Sequence, residues 1–494
     1  RQRQMCIRDR NLTRWTAEAS CVIDYWITAG ETPAEILENY TAVSGRPGEF
    51  PKWASGFWQS KLRYHNQEEV LETAREYKRR GLPLSVIVID FFHWKHQGDW
   101  SFDPEYFPDP QAMVDELKEM GVELMVSVWP TVEPYSENYA RLKQLGFLTR
   151  ADRGVRTQYH CLGAQVFFDP TTQGAREFLY EKLKENYGKY GIRIFWLDEA
   201  EPEYQQFDYD IYRYQAGSAR EIGGIYPLCY SQAIYDGMKK DGIEDPMNLT
   251  RSAWAGSQKF GTLLWSGDIY SSFRSFRMQI RAGLNAGMAG IAWWTSDIGG
   301  FWGGDPESEE FRELLVRWFQ FGVFSPICRL HGHRRPSGTL PEVVDSGMFD
   351  FNTCGPNEVW SYGEKNYGIL KELLMLRERM RPYVEETAAE ASETGLPMLR
   401  TLFFNYPEDE NCWETEDEIM LGRDLLAAPV TYPGMTSREV YLPKGDRWID
   451  YYNGKVYEGG QTLMYPTPLE VIPFFIREGS GQYEKIRGQA EGGL

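Results

Sequence analysis

The sequence is poor in basic residues relative to acidic ones. Its 494 residues include 53 lysines and arginines against 72 aspartates and glutamates, which leaves a formal net charge of −19. Without a basic surface to neutralise phosphates, nucleic acid and anionic membranes are poor partners. No apolar run is long enough to cross a bilayer. The seven cysteines are scattered, odd in number and without CxxC spacing, which argues against a disulfide framework or a zinc site. We therefore expect free thiols and a cytoplasmic location.

The N-terminal part carries too few structural signals to form a domain. Residues 1–10 lack the apolar segment of a signal peptide and resemble a translated sequencing adapter, so we expect them to be an artefact. We interpret residues 11–50 as the remnant of an N-terminal β domain and a linker, with a β-rich run at Cys21–Thr28. The capping box Thr32–Glu35 predicts a helix to about Val43. We expect that the true N-terminus, with any signal it carries, is missing.

Strand and helix signals alternate over residues 51–390, which is typical of a parallel α/β architecture. Strands are predicted to end near Gln59, Asp90, Trp129, Asp198, Arg251, Gly267, Thr295 and Arg329. Helices are predicted at Gln67–Arg80, Gln111–Met120, Gly174–Lys189 and Phe273–Asn285. Eight strands fit a (β/α)8 TIM barrel. A doubly wound open sheet is the alternative, but no glycine-rich nucleotide loop follows the first strand.

Beyond the barrel, a plausible closing helix at Glu372–Val384 is followed by short β-like runs separated by Gly, Pro and Asp turns. These runs are Met398–Phe404, Leu425–Val430, Val440–Leu442, Trp448–Asp450 and Val471–Ile476. They predict a C-terminal antiparallel β-sandwich over residues 391–480. Residues 481–494 are predicted to be a tail, with residues 488–494 disordered.

Four aspartates stand at the carboxyl ends of different predicted strands: Asp90, Asp198, Asp268 and Asp297. Each alone could equally be a loop cap or a salt-bridge partner. Together they favour a catalytic site, because buried acids are costly unless they are paired or used, and barrels gather their chemistry at this end. Aromatic residues make up 15% of the chain, and flat rings suit sugar surfaces as well as cores. Paired carboxylates among aromatics suit glycosidic bond cleavage.

Several motifs, in order, resemble glycoside hydrolase family 31, the α-glucosidase and α-xylosidase family. They are Trp196–Glu201, Leu249–Gly256, Trp265–Asp268, Trp294–Phe301 and Arg329–Gly332. The resemblance implies a retaining exo-acting α-glycosidase that acts on oligosaccharides or other α-glycosides without a cofactor. It implies that Asp198 is the nucleophile and Asp268 the general acid/base. The remaining implied roles are sugar binding by Asp90, Arg251, Asp297 and His331, and pocket lining by Trp129, Trp196, Trp265 and Phe301.

Charge arguments agree with these roles. Arg251 would depress the pKa of Asp198, and the negative charge of Asp198 would raise the pKa of Asp268. Arg251 could equally be a structural ion-pair partner. His331 and His333 form a His-x-His pair, but nothing ties them to a four-ligand set, so no metal is predicted.

The aromatic run with Phe91, Phe92 and Trp94 and the Arg-x-His-Gly form at 329–332 resemble the α-xylosidase side of the family more closely. Bulky rings there would fill the space of the glucose C6 hydroxymethyl, which favours α-xylosidase activity. The same rings could be barrel packing, which leaves α-glucosidase or transglycosylase activity as the alternative. A truncated, inactive carbohydrate-binding protein is the second alternative, and metal-dependent hydrolysis is a remote third. The oligomeric state is open, a homo-oligomer included.

Overall fold

Eight short parallel strands form the central sheet of the computed structural model, which describes residues 2–7, 12–17, 19–22, 24–155, 164–203, 208–335 and 355–491. The strands are Phe57–Gln59, Val86–Ile89, Glu123–Val128, Ile194–Leu197, Asn248–Thr250, Thr262–Trp265, Trp294–Thr295 and Cys328–Leu330. The first seven pair in chain order, and the eighth pairs with the first. The sheet closes where Thr295 Oγ1 donates to the Ile327 carbonyl at 3.1 Å and Ile298 bridges Leu330. The predicted barrel is confirmed.

The strand register brings the predicted site residues to one end of the barrel. Val128 lies opposite Leu197, and Leu197 lies opposite Thr250. Trp129, Asp198 and Arg251, which directly follow these three residues, therefore leave the sheet at the same level. Nearly every strand residue is buried, as expected for parallel strands covered on both faces.

Helices surround the sheet and begin at side-chain caps in most cases. The longer ones are Gln67–Arg79, Pro110–Glu119, Tyr139–Leu145, Gln173–Asn186, Tyr226–Lys240, Phe273–Met288, Glu309–Val323 and Glu364–Thr394. Asn66, Asp109, Thr172, Ser272 and Ser308 each accept a hydrogen bond from the backbone N–H three residues later. Short helical turns occupy Asp208–Ile211, Ala219–Ile222, Lys52–Ser55, Gly188–Tyr190, Gly223–Ile225, Ser257–Phe260 and Val359–Tyr362, and Thr131–Val132 pairs with Val166–Phe167.

The C-terminal region forms two antiparallel sheets. One contains Leu399–Arg400, Ile419–Leu421, Leu425–Ala427, Phe474–Arg477, Arg447–Asp450 and Val456–Glu458, in that spatial order, and the other pairs Ser437–Leu442 with Gln461–Pro466. Side chains of both sheets share one buried cluster that includes Leu426, Val440 and Phe475. The antiparallel β domain predicted after the barrel is thus confirmed. Arg317 of a barrel helix joins the two parts by donating to the Thr467 carbonyl at 2.8 Å.

Two predictions about the N-terminal part have different outcomes. The capping box is confirmed, because Thr32 accepts from the Glu35 N–H at 3.2 Å and the helix spans Pro33–Ser44. The strand predicted at Cys21–Thr28 is wrong: its described residues, 21–22 and 24–28, belong to no strand, and large apolar side chains such as Trp26 are exposed. None of the described strands pairs with this run. The strands of this region are Gln2–Ile7 and Leu12–Ala17, an antiparallel pair that includes residues expected to be an artefact.

Two predictions about the C-terminal part are also wrong. The strand predicted at Met398–Phe404 stops at Arg400, because a helical turn, Leu402–Asn405, buries Leu402 and Phe404 instead. The predicted tail contains a helix, Gln482–Glu491. Its Ile486 side chain is buried, and Gln482 donates to Glu386 of the long barrel helix at 3.2 Å. Residues 488–491, predicted to be disordered, belong to this packed helix, and residues 492–494 lie outside the described residues. None of the described helices is both long and apolar enough to span a bilayer.

Candidate active site

The four aspartates at the strand ends lie together and influence one another, but their exposure differs. Asp90, Asp198 and Asp297 are buried, whereas Asp268 is exposed at the solvent side of the group. Loss of hydration is the main cause that raises the pKa of both Asp90 and Asp268, and negative charge on Asp198 raises both further. Asp297 adds to the rise of the Asp268 pKa. The barrel end therefore holds a dense group of carboxyls that cannot all be ionised together.

One arginine faces four carboxylates, that of Asp198 among them. Arg251 Nη1 lies 3.6 Å from Asp198 Oδ1, and Arg251 Nη2 lies 3.4 Å from Glu199 Oε2. Its Nε donates to Glu201 at 2.6 Å, and Nη2 donates to Glu203 at 3.0 Å. Because the guanidinium is shared among these groups, Asp198 receives only part of its charge.

Local backbone geometry produces this arrangement. The strand ends at Leu197, and Glu199 takes the left-handed conformation with φ 56°, which is unfavourable for a residue with a side chain. Gly267, directly before Asp268, has φ 77°, and a side chain there would approach Arg251 Cδ to 3.3 Å. The glycine thus allows the loop of Asp268 to approach Arg251 closely.

The structure corrects the expected pKa of Asp198. Burial raises the pKa of Asp198 to about 6, and Arg251 opposes the rise without reversing it, partly because Glu201 and Glu203 add negative charge nearby. The predicted lowering by Arg251 is thus present, but burial outweighs it, so the pKa of Asp198 lies above its usual value and not below it. The surrounding protein limits hydration of Asp268, and this effect, with the charge of Asp198, raises the pKa of Asp268 to about 8. That direction agrees with the expectation.

Two more contacts fix the inner end of the site. Arg329 donates to Asp297 Oδ1, and both side chains are fully buried. His331 Nδ1 shares a hydrogen bond of 2.7 Å with Ser60 Oγ, while its Nε2 lies 3.6 Å from Asp90 Oδ2. Burial and nearby arginines hold the pKa of His331 well below its usual value, so the ring is neutral at pH 7.

Aromatic rings surround these polar groups. Trp196 packs edge-on against Trp265 and His331, with ring centroids 5.2 and 4.9 Å apart. Phe301 stacks on His331 at 5.5 Å, and the Arg329 guanidinium lies 5.3 Å from the Trp196 ring. A ring cluster of this kind limits access of water, which strengthens the interactions of the charges inside it.

A second aromatic group lies on the other side of Phe301. Trp129 packs against Phe91, Phe92 and Trp94 with centroids 4.8 to 5.7 Å apart, and Phe301 belongs to the same buried cluster. The buried indole N–H groups of Trp94, Trp129, Trp196 and Trp265 have no hydrogen-bond partner among the described residues. Buried donors of this kind are suited to ligand hydroxyls, since leaving them unsatisfied is costly.

All ten site residues predicted from the sequence lie in the described part of the chain and at this end of the barrel. Direct contacts connect His331 to Asp90, Phe301 and Trp196, whereas Asp268 is connected to Asp198 through charge. Sequence reasoning missed the contact residues Glu199, Glu201, Glu203, Arg329 and Ser60. The three glutamates form an acidic run directly after Asp198, and Arg329 precedes His331 by two residues. The sequence near these residues does not indicate which side chains they contact. Among described residues, no cluster of three or more His, Cys, Asp and Glu side chains could hold a metal ion.

Two family models match the chain. The model for the glycosyl hydrolases family 31 TIM-barrel domain matches residues 47–387, and that for the glycosyl hydrolase family 31 C-terminal domain matches residues 395–480. The first match alone covers more than half of the chain. The chain belongs to glycoside hydrolase family 31.

Family 31 proteins similar to this chain include an uncharacterised glucosidase, ORF2, of Pseudescherichia vulneris, which is 54% identical over 66% of this chain and 62% of its own length. An α-xylosidase of Saccharolobus solfataricus is 33% identical over 95% of this chain and 61% of its own length. A solved α-xylosidase from a soil metagenome, complexed with xylose, is 53% identical with a TM-score of 0.89, over 93% of this chain and 68% of that chain. The chain thus spans less than two thirds of the first two relatives.

Proposed function

We propose that this family 31 chain is a retaining exo-acting α-glycoside hydrolase that releases α-linked xylose from oligosaccharides. The observation that carries the proposal is the division of roles between two neighbouring acids. Asp198 is buried with a pKa of about 6, and Asp268 is exposed with a pKa of about 8. At neutral pH one is mainly anionic and the other mainly protonated, as a nucleophile and a general acid must be.

In the first step, a carboxylate oxygen of Asp198 attacks the anomeric carbon as the bond to the leaving oxygen breaks. Asp268 gives its proton to that oxygen, so the leaving group departs as a neutral alcohol. The product is a covalent glycosyl-aspartate. As the charge of Asp198 is consumed, the pKa of Asp268 falls, because that charge helped to keep Asp268 protonated.

In the second step, Asp268 acts as a base. It takes a proton from water while the water oxygen attacks the anomeric carbon, and the bond to Asp198 breaks. Two inversions restore the original configuration. Neither step requires a cofactor or a metal.

We assign sugar binding to Asp90, Asp297, Arg251 and His331, with Trp129, Trp196, Trp265 and Phe301 as the walls. The choice of xylose draws support from the aromatic group at Phe91, Phe92 and Trp94, which packs with Trp129 where a C6 hydroxymethyl would add bulk. It also draws support from similar proteins named α-xylosidases, one of them solved with xylose. Because a family 31 α-glucosidase is also similar, at 33% identity, glucose is the alternative substrate.

Initial rates on 4-nitrophenyl α-xyloside and α-glucoside, measured side by side, test the proposal. We expect faster xyloside hydrolysis, with α-xylose as the first product seen by NMR. Asp198→Asn should lower kcat by at least about a thousandfold, which is the scale of losing an activated nucleophile. Preference for the glucoside would reassign the sugar, and β-xylose as first product would refute retention. Binding of xylose without turnover of either glycoside would instead indicate an inactive carbohydrate-binding protein.

Several expectations from the sequence remain proposals. We propose a cytoplasmic location, in keeping with the unpaired Cys229, Cys328 and Cys412. We propose a division into the barrel, 51–390, and the β domain, 391–480, where the long helix ends at Thr394 and Gly395 turns the chain. The absence of nucleic acid partners and the oligomeric state stay predictions.

A further inference from the structure

The two proposed catalytic acids differ in exposure, and this difference determines how a substrate is oriented in the site. Asp198 is buried, with a relative exposure of 7%, whereas Asp268 is exposed. A sugar held between them therefore has its anomeric carbon toward the interior at Asp198. The leaving oxygen, which must reach Asp268, points toward solvent. Whatever is attached to that oxygen contacts the protein surface next to Asp268.

Tyr270 is the large aromatic residue nearest to Asp268 along that loop, two positions after it. Its side chain is 72% exposed. An exposed ring this close in the chain to a candidate catalytic acid is available to contact the part of a substrate that extends into solvent.

The backbone around Tyr270 is held in place although its ring is exposed. Tyr270 bridges Trp302, and Ser271 donates its N–H to the Trp302 carbonyl at 2.8 Å. The Phe301 N–H donates to the Ile269 carbonyl at 2.7 Å. These bonds join the loop of Asp268 to the loop whose Phe301 stacks on His331 inside the site.

Gly300 allows the two loops to approach closely. It has φ 79°, and a side chain at this position would lie 2.6 Å from Ser271 Cα. The position of Tyr270 is therefore set by the same contacts that shape the inner wall. A ring carried on a backbone that is already ordered binds a ligand without loss of loop entropy on binding.

We propose that Tyr270 is the stacking platform for the sugar ring of the leaving group, and thus a specificity-determining residue for the part of the substrate outside the xylose site. The proposal rests on the proposed function, because it needs Asp268 as the acid that protonates the leaving oxygen. The ligand class is a pyranose ring linked through oxygen to the α-xylosyl group. Such a ring offers a C–H face that packs on an aromatic face, with hydroxyls left in water.

The test compares two substrates that differ only in the leaving group. An α-xylosyl-(1→6)-glucose disaccharide has a sugar to stack on Tyr270, whereas α-xylosyl fluoride has none. Tyr270→Ala should lower kcat/KM on the disaccharide by about five- to tenfold, the scale of one aromatic contact, and leave the fluoride unchanged. Tyr270→Phe keeps the ring and should remain within about twofold of the parent on both substrates. Tyr432→Ala, which removes another exposed tyrosine in the C-terminal domain, is the matched control and should change neither.

Equal rates of Tyr270→Ala and the parent chain on the disaccharide would overturn the proposal, and so would an equal loss on both substrates, which would indicate support of the Asp268 loop. If the parent chain turns over neither substrate, the proposed function fails, and the platform is judged by calorimetry instead. Weaker binding of the disaccharide to Tyr270→Ala, with unchanged binding of free xylose, supports it. Unchanged binding of both, or no binding to the parent chain, overturns it.

Discussion

The pH dependence of hydrolysis tests the charge arrangement around Asp198 and Asp268. With pKa values of about 6 and about 8, about 90% of Asp198 is anionic and about 90% of Asp268 is protonated at pH 7. Activity falls as pH drops through 6, because Asp198 takes up a proton. It falls again as pH rises through 8, because Asp268 loses its proton. We expect a bell-shaped profile of kcat/KM that is about tenfold lower at pH 5 and at pH 9 than at pH 7, the two limbs belonging to the coupled pair.

Two substitutions near Asp198 should move the acidic limb in opposite directions. Arg251 Nη1 lies 3.6 Å from Asp198 Oδ1, and a charge pair at about 4 Å near a protein surface is worth about 4 kcal/mol before sharing and desolvation are counted. Since Arg251 is shared with Glu201 and Glu203, we expect Arg251→Met to raise the acidic limb by about one to two pH units. Glu203→Gln removes a negative charge that raises the pKa of Asp198, so the midpoint of the acidic limb should move to lower pH. The shift should be less than about half a pH unit, because Glu203 is half exposed.

The assay is the initial rate on an aryl α-xyloside between about pH 4 and pH 10, at substrate concentrations well below KM. Asp268→Asn, measured on a substrate with a good leaving group, should lose the basic limb and serves as the control for that assignment. If the midpoint of the acidic limb in Arg251→Met stays at the same pH or moves to lower pH, the reasoning is refuted. Arg251 would then not stabilise the anionic form of the nucleophile.

Three further outcomes follow from buried contacts. Arg329→Met leaves Asp297 as an unpaired buried charge and should lower the free energy of unfolding in urea by about 3 kcal/mol; a loss below about 1 kcal/mol would mean that Asp297 is neutral in the folded chain. Phe91→Ala should raise the ratio of kcat/KM for α-glucoside to that for α-xyloside by about tenfold, and an unchanged ratio would make the ring simple packing. Ile486→Ala should cost about 2 kcal/mol of unfolding free energy, against less than about 0.5 kcal/mol for the exposed control Val456→Ala, and equal values would show that helix Gln482–Glu491 does not pack.

The elements of the barrel could be predicted because their signals are local. Buried strands such as Ile194–Leu197 read as continuous apolar runs, since both faces are covered, and each run stops at a polar residue. Helix starts such as that after Asn66 follow from a side chain that satisfies a free backbone N–H. Parallel strands share one polarity, so Asp90, Asp198 and Asp297 had to emerge at one end of the sheet.

Predictions failed where packing between distant segments overrode local preference. Leu402 and Phe404 continue a β-like run in sequence, but the chain forms a helical turn there, with Leu402 buried among side chains of the β sheets and Phe404 buried against Leu37 and Leu396. The segment from Gln482 has the composition of a tail, but it forms a helix that packs on the folded chain through the buried Ile486 and the hydrogen bond from Gln482 to Glu386. Local composition does not contain these partners.

The sequence by itself determined the barrel and the positions of the acids, because strand periodicity and polarity depend on neighbours in the chain. Only the tertiary structure decided which acid carries the proton. Asp198 and Asp268 have the same side chain, and their pKa values differ because their burial and surrounding charges differ. It also decided that Arg251 is shared among four carboxylates, so that burial outweighs its effect on Asp198. Both features depend on burial and on charges contributed by residues far apart in the chain. These residues come together only in the folded molecule.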